Sequence, residues 1–299
     1  MTDTLRIACT GGTGLVGEAI VAAHRKRGDE VTVLRRSGGP PRWDLTGGVT
    51  PADAFSGLDA VIHLAGESVA SGRWTAARKR AIHDSRVEGT ARIVEAIERA
   101  TPRPSTLICA SATGYYGNTG AVTVDEDAPA ADDFLGRTCV AWEDAARRAE
   151  DLGVRVVHLR FGVVLSPAGG ALARMRPFFA AGLGGRVGPG TQPFPWVHLD
   201  DVVGAHLWAM DGDVRGPVNV VARADDDNAA FTRDYGQALR RPAVLPVPVL
   251  GLRVVFGEMA QVLAGGARVR PRVLLEGGYG FAHPEVRPAL EDLEARRRA

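Results

Sequence analysis

Residues 10–17 read Thr-Gly-Gly-Thr-Gly-Leu-Val-Gly and follow directly on the apolar run Leu5-Arg6-Ile7-Ala8-Cys9. A strand, a glycine turn and the start of a helix are thus compressed into the first 27 residues. Gly11, Gly14 and Gly17 stand at G-x-x-G-x-x-G spacing. Each has a separate physical reason: Gly11 allows the tight turn, Gly14 keeps a Cβ out of the path of a pyrophosphate, and Gly17 lets the helix pack closely on the strand. The helix start then offers unpaired N–H groups and a partial positive charge, so Gly11, Thr13, Gly14, Leu15, Val16 and Gly17 are expected to hold phosphates. Glycine turns also occur without ligands, but the strand before this one and the amphipathic stretch Glu18–Arg27 after it supply the context of a dinucleotide site.

The next strand, Glu30-Val31-Thr32-Val33-Leu34, ends in Arg35-Arg36-Ser37. A site for NAD places an acid here for the ribose 2′-OH, whereas a site for NADP places arginine near the 2′-phosphate. No acid stands at or just after this strand end. Arg35 and Arg36 therefore predict NADP(H), since a guanidinium is always charged and grips phosphate bidentately.

The hydrophobic share of 45%, the charged share of 24% and the net charge of +1 are those of an ordinary globular chain. With no long basic run, the expected partner is a small molecule rather than nucleic acid or a membrane surface. No apolar stretch approaches bilayer length. Cys9, Cys109 and Cys139 are odd in number, widely spaced and without zinc-ligand spacing. A reducing, cytoplasmic location is the expectation.

Further apolar runs follow at Asp59–Ala65, Thr106–Ala110, Val154–Arg160 and Pro217–Val221, with long helices expected over about Thr75–Arg99 and Leu135–Leu152. This alternation predicts an α/β doubly wound parallel sheet, a Rossmann fold. Residues 166–198 are rich in Gly and Pro, and the chain after about 225 forms helical stretches split by Pro242, Pro246, Pro248 and Pro271. The expected organisation is a dinucleotide-binding domain over 1–225 and a smaller, mainly helical lobe over 226–299, with 166–198 inserted toward it.

Four segments together resemble the extended short-chain dehydrogenase/reductases, a group that includes nucleotide-sugar epimerases: Thr10–Gly17, Asp59–Gly66, Ser111-Ala112-Thr113-Gly114-Tyr115-Tyr116-Gly117 and Trp196–Val202. Leu64-Ala65-Gly66-Glu67-Ser68, Gly72-Arg73-Trp74, Asp84-Ser85-Arg86-Val87 and Phe134-Leu135 with Trp142-Glu143 resemble an atypical subfamily, the "epimerase family proteins". Its small C-terminal domain of unknown function is similar to the stretches around Phe256–Met259 and Arg270–Leu274. The resemblance implies the fold and the cofactor, and points to an oxidoreductase or epimerase.

It departs in the chemistry. The superfamily uses a Tyr-x-x-x-Lys helix as acid and base, but counting back from Gly153 puts Phe134 and Thr138 at those positions, or Leu135 and Cys139 after a one-residue slip. No Lys follows Lys79. The expected serine falls at Ala112 and the expected asparagine at Arg86. Arg86 shares a helical face with Ile82, Gly89, Ile93 and Ile97, which turns it toward the sheet, where a guanidinium needs an anionic partner. Glu67 is the nearest by topology.

Tyr116, Thr113 and Glu67 are the candidate catalytic groups. Leu64, Ala65, Gly66, Glu67, Arg73 and Arg160 are further candidates for cofactor contact. Glu67, Arg73, Thr113 and Tyr116 follow strand ends or lie in the loops beyond them, where an open α/β sheet forms its ligand crevice, and Arg160 ends its strand. For Tyr116 packing is an equal alternative, and for Arg160 an internal ion pair. Asp200 is expected as a helix N-cap, with His198 as a structural neighbour. The two functional classes are an NADP(H)-dependent oxidoreductase or epimerase-like enzyme and a non-catalytic NADPH-binding sensor or scaffold.

Overall fold

In the computed structural model, which describes residues 4–298, six strands form one parallel sheet. They are β1 (Arg6–Thr10), β2 (Glu30–Leu34), β3 (Ala60–His63), β4 (Thr106–Ala112), β5 (Arg155–Phe161) and β6 (Gly216–Val220). The order across the sheet is β6-β5-β4-β3-β1-β2, every neighbour pair being parallel. The chain leaves β1 toward one edge and returns to build the other side from β3, so the switch point lies between β1 and β3. That reversal opens a crevice at the C-terminal ends of the strands.

The period-two alternation of the strands divides the core. Ala8, Val61, Leu107, Cys109 and Val156 face α2 (Ala76–Arg99) and α3 (Phe134–Arg147), packing on Ile93, Ile97, Trp142 and Ala146. Ile7, Cys9, Ile62, Ile108 and Leu159 face the opposite way, toward α1 (Leu15–Lys26) and α5 (Leu199–Asp211). Both faces are covered, which is why the strands read as near-continuous apolar runs. Thr75 caps α2, its hydroxyl accepting from the Arg78 N–H at 3.1 Å. The second long helix stops at Arg147 rather than Leu152, and a separate 3-10 turn over Glu150–Leu152 completes the connection.

A third core joins the 166–198 excursion to the chain beyond 225. Leu172 and Phe179 of α4 (Gly170–Ala180) and Trp196 pack with Phe231 and Tyr235 of α6 (Asn228–Leu239) and Leu290 and Leu293 of the C-terminal helix Val286–Arg298. Between these, Leu274, Tyr279 and Phe281 return to the α5 face of the main sheet. The expected N-cap of α5 is corrected: His198 caps it, its Nδ1 accepting from the Asp200 N–H at 3.0 Å. The Asp200 carboxylate instead holds Arg296 of the C-terminal helix at 2.6 Å.

His63, His158 and His206 are among the buried histidines of the main domain. Burial pushes His63 and His206 down to about 3 and His158 to about 4. Their folded pKa values lie below the unfolded value near 6.5, so the unfolded chain binds more protons once the pH falls through 6.5. Stability is therefore complete above that value and lost as the pH drops toward 4. Lowering the pH from 7 to 6 should remove about 2 kcal/mol for the three together. Urea unfolding at the two pH values tests this, and equal midpoints with equal slopes would exclude neutral buried histidines.

Candidate functional site

The glycine turn sits at the switch point. Gly11 takes φ +72°, and a Cβ there would lie 2.6 Å from the Leu64 carbonyl carbon, so the turn is wedged against the end of β3. A Cβ on Gly17 would stand 2.1 Å from the Gly11 carbonyl oxygen. Gly14 differs: its Cβ would meet only the Gly11 oxygen, at 3.4 Å, and the space beyond is open. Gly14 is the N-cap of α1 and makes no side-chain cap. The first N–H groups of that helix, from Leu15, Val16 and Gly17, have no intrahelical acceptor and gather around this opening. Thr13 and Gly14 are exposed beside them.

At the end of β2 both Arg35 and Arg36 are exposed. The Arg36 guanidinium comes within 3.7 Å of the Glu67 carboxylate, just past β3. The other Glu67 oxygen accepts from Arg78 of α2 at 3.1 Å. Arg78 was not legible as a site residue, since nothing in its local helical pattern points to a loop 11 positions earlier. Leu64, Ala65 and Gly66 run along the crevice between the glycine turn and Glu67. Arg73 is exposed and lies against the turn at Gly257 in the C-terminal region, where a Cβ would be 3.4 Å from its Nε. Lys79 joins the same two regions by pairing with Glu258.

The partner expected for Arg86 is corrected. Its Nη1 donates to the backbone carbonyls of Glu67 and Ile82 at 2.9 and 3.0 Å, while the Glu67 carboxylate is taken by Arg78 and Arg36. The guanidinium lies over the Trp142 ring at 4.9 Å, which supplies the negative face that a carboxylate would otherwise provide.

Beyond β4, the 3-10 turn Thr113–Tyr116 carries two phenols with different surroundings. Tyr116 is 4% exposed, donates to Asn219 Oδ1 at 2.8 Å and accepts from Arg160 at 2.8 Å. Burial outweighs the Arg160 charge and pushes its pKa to about 12. A phenol so enclosed keeps its proton at neutral pH and does not face the crevice. Arg160 is corrected as well: it is 2% exposed and paired to Glu143 of α3 through both oxygens, at 2.8 and 2.7 Å. It is an internal ion-pair partner. Its guanidinium also lies 3.6 Å from the centre of the Tyr115 ring. Tyr115 and Thr113 are only partly buried, and the Tyr115 hydroxyl has no hydrogen-bond partner among the described residues. Phe134 stacks edge-on to Trp74 at 5.2 Å, and the Thr138 hydroxyl is spent on the Phe134 carbonyl at 2.7 Å.

A parallel sheet with a glycine turn and a free helix N-terminus at its switch point defines the Rossmann class of dinucleotide-binding proteins. Residues 7–221 match the profile of the NAD dependent epimerase/dehydratase family, and residues 247–293 match a domain of unknown function, DUF1731. The chain belongs to that epimerase/dehydratase family. It is 41% identical over 292 residues to an epimerase family protein, Mb2239, of Mycobacterium bovis, covering 95% of this chain and 96% of that one. It is similar to the crystal structure of human epimerase family protein SDR39U1 with NADPH, at a TM-score of 0.89 and 35% identity over 97% of this chain and 99% of that one. MoeE5 in complex with UDP-glucose and NAD shares the fold, at a TM-score of 0.76 and 21% identity over 98% and 99%. Among the described residues no helix is long and apolar enough to cross a membrane.

Proposed function

We propose that this protein is an NADP(H)-dependent oxidoreductase or epimerase-like enzyme for a small or nucleotide-linked substrate, working without a Tyr-x-x-x-Lys dyad. The observation that carries the cofactor choice is the pair of exposed guanidiniums at the end of β2, with no acid at that strand end. The NADPH in the human relative's structure supports the same reading. The chain's residues fit the group, because the open space over Gly14 and the free N–H groups of α1 match a pyrophosphate. Bound there, the cofactor would supply or accept a hydride. Arg35 and Arg36 would hold its 2′-phosphate, and Leu64–Gly66 would line its path.

The proton side of the reaction falls to Thr113 and Tyr115 in this reading. Tyr116 is engaged by Arg160 and Asn219, whereas Tyr115 keeps a hydroxyl free and packs its ring on the Arg160 guanidinium. Glu67 is assigned to positioning: its carboxylate spaces Arg36 from Arg78.

Arg35→Ala with Arg36→Ala should weaken NADPH binding by about 10- to 100-fold and leave NADH nearly unchanged, the size expected for losing one or two charge-assisted bonds. Titration calorimetry with both cofactors checks this, and an undiminished preference would place the 2′-phosphate elsewhere. A panel of carbonyl substrates with NADPH tests catalysis. The second reading, an NADPH-binding sensor, is favoured by Phe134 and Thr138, which offer neither acid nor base. Tight NADPH binding with no turnover across the panel would select it.

A further inference from the structure

The two arginines at the end of β2 have different surroundings. Among the described residues Arg35 makes no ion pair, while the Arg36 guanidinium faces a carboxylate, its Nη1 lying 3.7 Å from Glu67 Oε1. That carboxylate is held by one face of α2. The Glu67 N–H donates to Ser85 Oγ at 3.0 Å, and the Glu67 carbonyl accepts from Arg86 Nη1 at 2.9 Å. Arg78 Nη1 donates to Glu67 Oε2 at 3.1 Å, and Arg78 Nη2 donates to the neighbouring Ser68 carbonyl. Ser85 is buried and spends its own proton on the Ile82 carbonyl at 3.0 Å, which leaves its oxygen to accept. Positions 78, 82, 85 and 86 recur at the steps of a single helical face, so one side of α2 fixes the backbone and one carboxylate oxygen of Glu67. The other oxygen, Oε1, is the one nearest Arg36.

The charges of this group are two guanidiniums and one carboxylate, a net of +1, and without Glu67 the net would be +2. A phosphate monoester carries roughly −1.5 to −2 at neutral pH. Drawn to Arg36, it meets a guanidinium that already faces an anion. The Arg36 side chain is 75% exposed and that of Glu67 34%, so this competition is screened by water and has the modest size of a surface pair.

We propose that Glu67 is a built-in counter-ion that competes with the 2′-phosphate of the cofactor for Arg36, and so sets how tightly the phosphorylated cofactor is held and how far it is preferred over the unphosphorylated one. Its anchoring suits it to this. A loose carboxylate would swing away as a phosphate arrived, whereas Glu67 is kept in place by Ser85, Arg86 and Arg78, and Arg36 is the partner free to turn. The consequence is a cofactor selected by charge but still released readily, as turnover requires. This rests on the reading proposed above, in which Arg35 and Arg36 hold the 2′-phosphate, and adds the residue that tunes them.

The test is calorimetric titration of NADPH and of NADH into four proteins: the parent, Glu67→Gln, Arg36→Ala and the two combined. Glu67→Gln keeps an oxygen for Arg78 and removes only the charge. It should tighten NADPH by about three- to fivefold and leave NADH unchanged, the size expected for an exposed ion pair. The gain should fade as salt is raised, because exposed charges are screened. In the Arg36→Ala background the same substitution should bring no gain, since the guanidinium it frees is gone. Glu67→Ala keeps both backbone anchors, serves should Glu67→Gln fold poorly, and should shift NADPH in the same direction. NADPH affinity that falls or stays level when the Glu67 charge is removed would overturn the proposal, as would an equal gain without Arg36 or an equal gain for NADH. If Arg35→Ala with Arg36→Ala weakens NADPH while Glu67→Gln changes nothing, the counter-ion role fails and the phosphate stays at the end of β2. An undiminished NADPH preference in that double arginine variant would remove both.

Discussion

Replacing Glu143 with leucine is expected to lower folding stability by about 3–5 kcal/mol, the range seen when one partner of a buried ion pair is removed. Glu143 and Arg160 are both 2% exposed and meet through two short bonds. Burial by itself would raise the Glu143 carboxyl, but the Arg160 guanidinium outweighs it and holds the group below the usual carboxylate range. Ser111 adds a further donor to Glu143 Oε1 at 2.6 Å, and Arg160 passes on to Tyr116 and through it to Asn219. The leucine side chain would fill much of the space but leave a guanidinium in the core with only a phenol, two aromatic faces and the Glu126 carbonyl for company. The accompanying double variant, Glu143→Leu with Arg160→Met, removes both charges and should recover most of the loss. Urea unfolding of the three proteins measures both effects. A single variant within about 1 kcal/mol of the parent would show that the pair is not a buried ion pair in solution.

Gly14→Val should abolish dinucleotide binding in a chain that still folds, with affinity for NADPH falling about 100-fold or more, equivalent to about 2.8 kcal/mol. The backbone at Gly14 has φ −87° and ψ 169°, which valine adopts freely, and within the chain its Cβ would touch only the Gly11 oxygen, at 3.4 Å. The added methyl groups would point into the open space over the N-terminus of α1, the space that the proposed function gives to the pyrophosphate. Gly17 could not serve for this experiment. Its Cβ would drive into the Gly11 carbonyl at 2.1 Å, so a variant there would confound lost binding with a lost turn. Calorimetric titration alongside a thermal melt separates the two. Unchanged NADPH affinity in a folded Gly14→Val protein would mean that phosphates do not lie on this turn.

The residues of the glycine turn were legible from the chain alone because their requirement is local. A left-handed φ at Gly11 and the contact between Gly17 and the turn preceding it are set within a single short stretch of chain. The sheet was legible for a related reason. Strands covered on both faces must be apolar at nearly every position, so each one announces itself in its own residues. Arg35 and Arg36 were legible as an exposed pair because they follow β2 directly and need no distant partner to be placed there.

What the tertiary structure decided were the partners of charged and polar groups. Arg160 reads as a strand-end arginine open to either a cofactor or an internal ion pair until α3 packs against β5 and brings Glu143 across a gap of 17 residues. Tyr115 and Tyr116 are indistinguishable as a dipeptide, and only the fold encloses one with Arg160 and Asn219 while leaving the other a free hydroxyl. Arg86 was placed on the sheet-facing side of α2 by periodicity, but its acceptors are backbone carbonyls and its counter-face is Trp142, neither of which a charge pattern reveals. Hydrophobic periodicity reports how a segment meets water and the core, and it carries over a single element. A buried charge or hydrogen-bonding group is satisfied by whatever atom the packing of several elements brings within about 3 Å, and that is a property of the assembled fold.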